Sequence, residues 1–506
     1  MQTVAKKRSF ADFIAMLKLL APTIVGLMLA RLGIIVSTYG SYNSTDNGLF
    51  TDGSTLFAII PLIALFLYFE ITKTFLNKHQ VYIFSQISIA MQSASIVLLG
   101  IVLMITRAHA IFLFAFAIVI TMFSWFSIFY WLRRARGTTS GVAVAIVFGA
   151  LLLSEPFIYL FSLLNRPIAC FIVGFCVLGQ YKCQADARTK PLPEEAAKNK
   201  LPLGYFGFAE RMVDTVKLFA VLAIGSFVLA IVDGALRGFP NGASIPFTPA
   251  TRFSYMILLI CIFSVLIWRS FQNSPTVMTT SIWLCLQALG MFALLCYSAW
   301  PDSLQIGAVF TTVFNAGMTG FMWYLVIAFS SCGSRDTYYY AAAGWIVFLL
   351  PRALVRITMI YVYPYFQLPA LEVALIAGLI LMSSHIVFTQ LAWLEHTTVH
   401  EDKKKPALLN LQHILGLENV TPTDPVSMRR TLMESNTALI KEQFMLSDRE
   451  TEILTLYALG LTQKKIAEEL CISQGTTHTH IKRIYAKTNL HSRQEILDYI
   501  EQYANK

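Results

Sequence analysis

Residues 446–488 read LSDRETEILTLYALGLTQKKIAEELCISQGTTHTHIKRIYAKT, and this stretch decides the fold of the C-terminal part of the chain. Ser447 and Glu450 have the spacing of a capping box, in which each side chain satisfies a backbone donor of the other at a helix start. Gly460 is typical of the residue that follows a helix C-terminus. The stretch therefore predicts a helix that begins after Ser447 and ends before Gly460.

Two more helices are predicted directly downstream. Thr462 can cap a second helix, and Ser473 can cap a third after the short turn Cys471-Ile472-Ser473. One stripe of the third helix has the spacing of a buried face; its members are Thr477, Ile481, Ile484 and Tyr485. Two short helices joined by a three-residue turn, the second with a polar face, form the helix-turn-helix arrangement that binds DNA.

The charges of this region are segregated. Residues 447–506 contain eight Lys and Arg residues and eight Asp and Glu residues. Residues 471–494 nevertheless contain no acidic residue and four basic ones, namely Lys482, Arg483, Lys487 and Arg493. An acid-free basic face is the electrostatic requirement for binding the DNA backbone.

The helix-turn-helix stretch has helical neighbours on both sides. Ser492 and Glu495 form a second capping box, which opens a predicted fourth helix. Its apolar residues are Ile496, Leu497 and Ile500. Upstream, residues 426–444 can form a helix that serves as a linker or as a dimer contact, and the sequence leaves these alternatives open.

The whole pattern resembles the LuxR-type helix-turn-helix family. The matching residues are Leu446-Ser-Asp-Arg-Glu450, Gly460, Ile466-Ala467, Leu470, Ile472-Ser473, Thr476 to Lys487, and Ser492-Arg493. The resemblance implies a four-helix domain whose third helix enters the major groove and whose fourth helix can make a dimer contact. Double-stranded DNA and a second copy of the chain, forming a homodimer, are therefore the expected partners.

The resemblance also implies individual contacts with DNA. The residues implied to reach base edges are His478, Thr479 and Lys482, and those implied to reach phosphates are Lys464, Thr476, Arg483 and Lys487. Two positions depart from the family pattern. Thr477 stands where the family usually has a buried Val, so its hydroxyl must hydrogen-bond, for instance to the Ser473 carbonyl. His478 stands where Lys is usual, which replaces a fixed charge with an imidazole that titrates near neutral pH.

The rest of the chain is strongly apolar. Of its 506 residues, 56% are hydrophobic and only 13% are charged, and charges are sparse between residues 9 and 395. A helix needs about 20 apolar residues to cross a bilayer. Twelve runs meet this requirement: 15–38, 55–76, 81–106, 110–132, 140–164, 166–181, 212–235, 253–271, 277–298, 303–330, 338–362 and 366–394. We therefore predict an all-α fold, with a polytopic membrane bundle of about 12 spans, arranged 6+6, before the C-terminal four-helix domain.

Basic residues set the predicted orientation in the membrane. One set of loops carries Lys6-Lys7-Arg8, the cluster between residues 182 and 211, and Lys403-Lys404-Lys405, whereas residues 41–52 on the other side carry none. Both termini are therefore predicted in the cytoplasm of a bacterium, with the lipid bilayer of the inner (plasma) membrane as a further partner. The predicted domains are a membrane domain at 1–395, a cytoplasmic linker at 396–445 and the DNA-binding domain at 446–506.

The layout of six spans, a polar loop from Lys182 to Leu203 and six further spans resembles the major facilitator superfamily. That family has a G-x-x-x-D-R-x-G-R-type loop between its second and third spans. The corresponding residues Glu70 to His79 contain neither the glycines nor the Asp-Arg pair. The fold resemblance therefore stands, whereas the expectation of transport is weakened.

Charged residues inside spans are costly and indicate functional sites. Those predicted in the outer half of the bundle are Arg31, Glu155, Arg352, Arg356 and Glu372. They are candidates to line a cavity for a small polar or charged ligand. The alternative is that they pair with one another, such as Arg352 or Arg356 with Glu372, or extend to the lipid headgroups.

No pattern in the sequence predicts an enzyme, a cofactor or a metal site: the eight cysteines are scattered and no nucleophile-base arrangement stands out. The leading hypothesis is a membrane-embedded, one-component sensor that couples ligand binding to promoter binding. A transporter with an accessory DNA-binding domain is the runner-up. A membrane tether without a ligand is the third alternative.

Overall fold

The computed structural model describes residues 10–38, 49–105, 110–189, 206, 209, 216–238, 248–272, 277–362, 365, 370–383, 385–387, 433–434, 437, 440–441, 443–470, 472–488, 490, 492–496 and 499. The chain divides into two compact units, Met1–Glu401 and Asp402–Lys506. The described residues contain helices and no β-strand, which confirms the all-α prediction.

Among its described residues, the first unit contains twelve helices that are long and apolar enough to cross a membrane, as predicted. They are α1 (Phe10–Ser37), α2 (Leu49–Thr72), α3 (Lys78–Met104), α4 (Ala110–Arg134), α5 (Ser140–Ser162), α6 (Arg166–Thr189), α7 (Val216–Gly238), α8 (Pro249–Phe271), α9 (Ile282–Ala299), α10 (Leu304–Cys332), α11 (Thr337–Val362) and α12 (Ala370–Val387). A π-helical turn, Val277–Ser281, precedes α9, and a 3-10 turn, Pro301–Ser303, precedes α10.

Helix packing in this unit repeats with an offset of six helices. α1 packs on α5 and α3 on α4, just as α7 packs on α11 and α9 on α10. Between the halves, α2 packs on α11 and α5 packs on α8. Because α2 corresponds to α8 and α5 corresponds to α11, these two contacts are equivalent under the same offset. Small apolar clusters repeat as well, one joining α1, α3 and α6 and another joining α7, α9 and α12. This internal repeat fits the 6+6 layout expected of two related halves.

Large apolar side chains also cover the outside of the bundle. Ile71, Phe175 and Leu381 each expose more than half of their surface. In water such an exterior would favour aggregation, whereas hydrocarbon chains solvate it well. The twelve apolar helices therefore fit an inner-membrane protein.

The sixth span differs from its prediction. α6 continues to Thr189, although the sequence suggested a polar loop from Lys182 onward. The helix continues because its polar residues are used against α3: the Tyr181 hydroxyl donates to the Gln86 carbonyl at 3.0 Å, and Gln184 donates to Ser85 at 3.2 Å. The remainder of the predicted loop, from residue 190 to Leu203, lies outside the described residues.

The second unit contains α13 (Asp448–Ala458), α14 (Gln463–Glu469) and α15 (Gln474–Thr488). Their apolar faces form one core that includes Leu454, Ile466, Ile481 and Ile496. Ile440, from the predicted upstream helix, is buried in the same core. Residues 388–432, which hold most of the predicted linker, are outside the part of the chain that the structure describes.

Candidate nucleic-acid interface and membrane cavity

Local capping signals define α13 as predicted. The Ser447 amide donates to Glu450 Oε2 at 2.9 Å, and the Glu450 amide donates to Ser447 Oγ at 3.3 Å, which completes the capping box. Gly460 follows the helix with φ of +105°, a conformation that favours glycine. The chain therefore turns sharply between α13 and α14.

Hydroxyl caps then set α14 and α15. Thr462 accepts a hydrogen bond from the Lys465 amide at 3.4 Å, and Ser473 accepts one from the Thr476 amide at 3.1 Å. The predicted stripe of α15 faces the core: Thr477, Ile481 and Ile484 are buried, and Tyr485 is half-buried. Because one face of α15 is fixed in the core, its opposite face is available to solvent.

The polar face of α15 carries most of the proposed DNA contacts. Thr476, His478, Thr479, Lys482 and Arg483 are all exposed along this helix. Lys464 is exposed on α14. The structure therefore brings the three proposed base-contacting residues onto one helix surface, with proposed phosphate-contacting residues on both helices of the motif.

Lys487 differs from the other cations because it has protein partners. Its Nζ donates to Glu450 Oε2 at 2.7 Å and to the Met445 carbonyl at 3.1 Å. Burial raises the pKa of Glu450, but hydrogen bonds from Lys487 and Ser447 outweigh burial, so the pKa lies below its ordinary value. Lys487 thus ties α15 to the start of α13.

Thr477 makes the hydrogen bond expected from its sequence position. Its side chain is fully buried, and Oγ1 donates to the Ser473 carbonyl at 3.2 Å. The same carbonyl accepts the Thr477 amide at 3.1 Å. The hydroxyl is therefore satisfied within its own helix.

The described residues after α15 include Ser492, which caps the next helix, and Arg493, which contacts α13. Ser492 Oγ accepts the Glu495 amide at 3.1 Å, which begins the predicted fourth helix. Arg493 donates to the Tyr457 carbonyl at 2.6 Å and lies 4.8 Å from the centroid of the Tyr457 ring. Its charge is therefore used inside the domain. The predicted positions Leu497 and Ile500 fall beyond the described residues.

Comparisons with known proteins identify this C-terminal region. The GerE family, described as bacterial regulatory proteins of the luxR family, matches residues 445–500. Over 59 residues the chain is 42% identical to the Fimbriae Z protein of Escherichia coli (strain K12), covering 12% of this chain and 28% of that protein. Over 55 residues it is 46% identical to the Oxygen regulatory protein NreC of Staphylococcus carnosus (strain TM300), covering 11% of this chain and 25% of that protein.

A third similar protein is the Uncharacterized transcriptional regulatory protein YvfU of Bacillus subtilis (strain 168), 41% identical over 64 residues, which are 13% of this chain and 32% of that protein. The chain therefore spans about a quarter to a third of the length of the curated relatives it matches. The C-terminal domain is a LuxR-type helix-turn-helix domain, the DNA-binding domain of LuxR-family transcriptional regulators. The resemblance noted in the sequence is confirmed.

The membrane unit contains a cavity of about 200 Å³. Its lining combines apolar and aromatic side chains with charged ones from both halves of the bundle. Arg31 lies near the end of α1, Arg252 near the start of α8, and Arg352 beyond the middle of α11. Since successive spans alternate in direction, the cavity lies in the half of the bundle opposite the α2–α3 and α10–α11 loops.

Four of the five proposed ligand residues line this cavity: Arg31, Glu155, Arg352 and Arg356. Glu372 is on α12 and is not among the lining residues, so it differs from the prediction that it lines the cavity, although it lies in the predicted half of the bundle. Arg31 donates to Glu155 Oε1 at 2.7 Å and also to Ser154.

The sequence misjudged three other charged residues at this cavity. Asp52 was assigned to a loop, but it is buried in the first turn of α2, and its Oδ1 lies 3.8 Å from Arg352 Nη2. This pairing replaces the suggested pair of Arg352 with Glu372. Arg237 and Arg252 fall just outside the predicted spans 212–235 and 253–271, but they line the cavity from α7 and α8. They looked like loop residues because each is close to a helix end.

At the opposite end of the bundle, ion pairs join the two halves. Arg133 at the end of α4 lies 3.0 Å from Asp336 in the α10–α11 loop. Arg335 lies 3.2 Å from Glu70 and donates to the Phe69 carbonyl at 3.0 Å. We name these four charged residues, Glu70, Arg133, Arg335 and Asp336, the loop network. Glu70, at the end of α2, thus takes part in charge pairing without the family signature.

Proposed function

We propose that this protein is a membrane-embedded, one-component transcriptional regulator, in which a small molecule bound in the cavity changes promoter binding by the LuxR-type domain. The observation that carries the proposal is the cavity itself. Buried, charged side chains from both halves of a bundle line it, and the same chain carries a DNA-binding domain. Buried charges in a membrane unit are costly, which favours a binding role over a tether.

The proposed mechanism is a shift between conformations of the bundle. The cavity and the loop network lie at opposite ends of the same helices, so a ligand that draws the halves together around the cavity would strain the loop network. A ligand can shift such an equilibrium only if it binds one conformation better than the other. In this proposal both termini and the loop network lie on the cytoplasmic side. A conformational change at the loop network can therefore act on the linker, residues 396–445, and on the DNA-binding domain, residues 446–506.

On the DNA side, the proposed roles follow the exposed face of α15. His478, Thr479 and Lys482 contact base edges, while Lys464, Thr476 and Arg483 contact phosphates. Two domains paired as a homodimer would present two copies of α15 to half-sites about one helical turn apart. Ligand-dependent pairing of the domains would then control promoter occupancy.

The test is promoter output in cells. A reporter driven by DNA flanking the gene is measured with the full chain, with residues 1–394 deleted, and with Arg31→Gln. We expect a response to added compounds that is lost in both variants while the protein level is unchanged. Equal output from all three proteins with every compound would overturn the sensing proposal.

A second experiment addresses the loop network. The Asp336 side chain is fully buried, so Asp336→Asn removes the charge that Arg133 pairs with, which costs about 3–5 kcal/mol in the conformation described here. We expect output that no longer depends on the ligand. Glu70→Gln is the matched control, since the Glu70 side chain is half exposed and exposed pairs contribute about 0–1 kcal/mol. Identical behaviour of the two variants would remove the loop network from the mechanism.

A transporter with an accessory DNA-binding domain is the second candidate, and the six-helix repeat of packing favours it. Uptake of a labelled solute into vesicles containing the purified protein would support it. If transport is abolished by Glu155→Gln while promoter output is unaffected, the membrane unit is a transporter and the sensing proposal fails.

A further inference from the structure

Charged residues at or beside the cavity occupy equivalent positions in the two halves but carry opposite signs. Glu155 is the sixteenth residue of α5, and Arg352 is the sixteenth residue of α11. Asp52 is the fourth residue of α2, and Arg252 is the fourth residue of α8. Under the six-helix offset, α5 corresponds to α11 and α2 corresponds to α8. Each of these two positions therefore holds an acid in the first half and a base in the second.

The third pair is formed by α1 and α7. Arg31 is the seventh residue from the end of α1, and Asp233 is the sixth from the end of α7. Asp233 accepts a hydrogen bond from Asn315 at 2.7 Å and lies 3.6 Å from Arg237. Two triads, one from each half, therefore carry opposite charges and sum to zero.

Two further arginines line the cavity in addition to the members of these triads. Arg237 and Arg356 line the cavity, and neither belongs to a triad. Both come from the second half of the bundle, where Arg352 also lies. The eight charged residues named here, five arginines and three acids, therefore have a formal charge of about +2, and the second half of the bundle supplies the excess. A cationic surplus in a low-dielectric site attracts an anion.

The guanidinium of Arg352 has unused hydrogen-bonding capacity. The residue is 3% exposed, and its buried Nε and Nη2 atoms have no hydrogen-bond partner in the described structure. The 3.8 Å separation from Asp52 is too long for a hydrogen bond. A planar guanidinium binds a carboxylate through two parallel hydrogen bonds. Arg352 is therefore a donor directed at the cavity that a carboxylate would satisfy.

The apolar part of the cavity is aromatic. Trp323 and Trp345 both line it, and their rings lie parallel within 4° with centroids 6.3 Å apart. Trp345 and Arg352 are separated by seven residues on the same face of α11, which corresponds to about 10 Å along the helix. A cavity of about 200 Å³ is smaller than the range of about 300–1,000 Å³ typical of ligand sites. It suits a compact molecule with a ring at one end and an anionic group at the other.

We propose that the cavity binds a small aromatic carboxylate, with its carboxylate at Arg352 and Arg356 and its ring against Trp345 and Trp323. This inference rests on the proposed function, because it names the ligand class to which the membrane unit responds. The probe is phenylpropanoate. Phenylpropanol and phenylpropylamine keep the ring but remove or reverse the charge, and acetate keeps the charge without the ring.

Binding is measured by calorimetry on the full chain in phosphatidylcholine nanodiscs. We expect phenylpropanoate to bind at least tenfold more tightly than the alcohol, the amine or acetate. Arg352→Gln should weaken phenylpropanoate at least tenfold, whereas Arg269→Gln, at an exposed position near the end of α8, should leave binding unchanged. Trp345→Leu should weaken phenylpropanoate and leave the weak binding of acetate unchanged.

Because Arg352→Gln leaves the buried carboxylate of Asp52 without its cation, this variant is also destabilised. The double variant Asp52→Asn with Arg352→Gln neutralises both partners and separates anion binding from folding. If the double variant folds and binds phenylpropanoate as tightly as the unmodified chain, the inference is overturned. Equal binding of the acid, the alcohol and the amine, or no binding of any aromatic carboxylate in a panel of different chain lengths, overturns it as well.

A second measurement distinguishes failure of the proposed ligand class from failure of the proposed function. Anisotropy of labelled promoter DNA is recorded with the same nanodiscs. If phenylpropanoate binds but DNA affinity does not change, the ligand class stands and the sensing proposal fails. If DNA affinity responds to the amine or the alcohol and not to the acid, sensing stands and the aromatic carboxylate is wrong.

Discussion

The ion pair between Lys487 and Glu450 has a measurable consequence for DNA binding. Family resemblance places three cations at phosphates, namely Lys464, Arg483 and Lys487. The structure describes Lys464 and Arg483 as exposed, whereas Lys487 Nζ is 2.7 Å from a buried carboxylate. A cation that is already neutralised by the protein displaces no counterion from DNA. We therefore expect Lys464 and Arg483, but not Lys487, to contribute to the salt dependence of binding.

The magnitude follows from counterion release. Each phosphate neutralised on B-DNA changes the slope of log K against log salt by about 0.9. Between about 50 and about 200 mM salt, the loss of one such contact changes the ratio of mutant to unmodified affinity about 3.5-fold. Lys464→Met and Arg483→Met should each show this change. Lys487→Met should leave the slope unchanged, because its ammonium pairs with Glu450 and its loss acts on the stability of the domain and not on a phosphate contact.

The assay is fluorescence anisotropy of a labelled duplex titrated with the full chain in nanodiscs, repeated over a salt series. Active protein concentration is fixed by stoichiometric titration, so that partial unfolding of a variant is not mistaken for weak binding. A slope change for Lys487→Met equal to that for Lys464→Met would refute the argument that Glu450 holds the ammonium. Unchanged slopes in all three variants would show that α14 and α15 do not face the phosphates.

Three further predictions concern stability. The pKa of Glu450 is lower in the folded domain than its ordinary value of 4.5. The stabilisation that ionised Glu450 contributes is therefore complete above pH 4.5 and is lost as the pH falls through the folded-state pKa. In urea unfolding, a fragment of residues 402–506 should lose stability on acidification more steeply than its Glu450→Gln variant. Thr477→Val should change the free energy of unfolding by less than about 1 kcal/mol, because the Ser473 carbonyl keeps its backbone donor, and a loss of several kcal/mol in the same fragment would contradict this. Gly234→Ala should lower the melting temperature of the full chain in detergent, because a Cβ there would lie 2.5 Å from the Arg352 carbonyl oxygen. Gly378→Ala is the control and should not change the melting temperature, since no atom lies within 4 Å of its Cβ. Equal melting temperatures of the two variants would show that α7 and α11 can separate at no cost.

The DNA-binding domain was predictable because its determinants are local. The caps at Ser447, Thr462 and Ser473 each act within three residues, and Gly460 requires only its own backbone conformation. The pairing of Lys487 with Glu450 joins residues 37 positions apart. No spacing rule along a helix connects them, so the sequence could assign Lys487 a role on DNA but could not identify its partner.

In the membrane unit, the number of helices was predictable but their rotation was not. Spans are recognised by length and hydropathy, and these properties are nearly the same on all sides of a buried helix. Because α12 has no polar face that fixes its rotation, the sequence indicated the half of the bundle in which Glu372 lies but wrongly predicted that its side chain lines the cavity. Asp52 and Arg237 were misassigned because helix ends and loops have similar composition.

Opposite charges at equivalent positions have a consequence for how the bundle moves. In a symmetric pair of halves, identical charges would face each other across the cavity and repel. With an acid in one half and a base in the other, Asp52 of α2 instead attracts Arg352 of α11 across the interface between the halves. At 3.8 Å this attraction is incomplete, and a bound carboxylate would compete with Asp52 for the same guanidinium. Ligand binding would therefore weaken one contact between the halves while creating others, which is the differential interaction that a conformational switch requires.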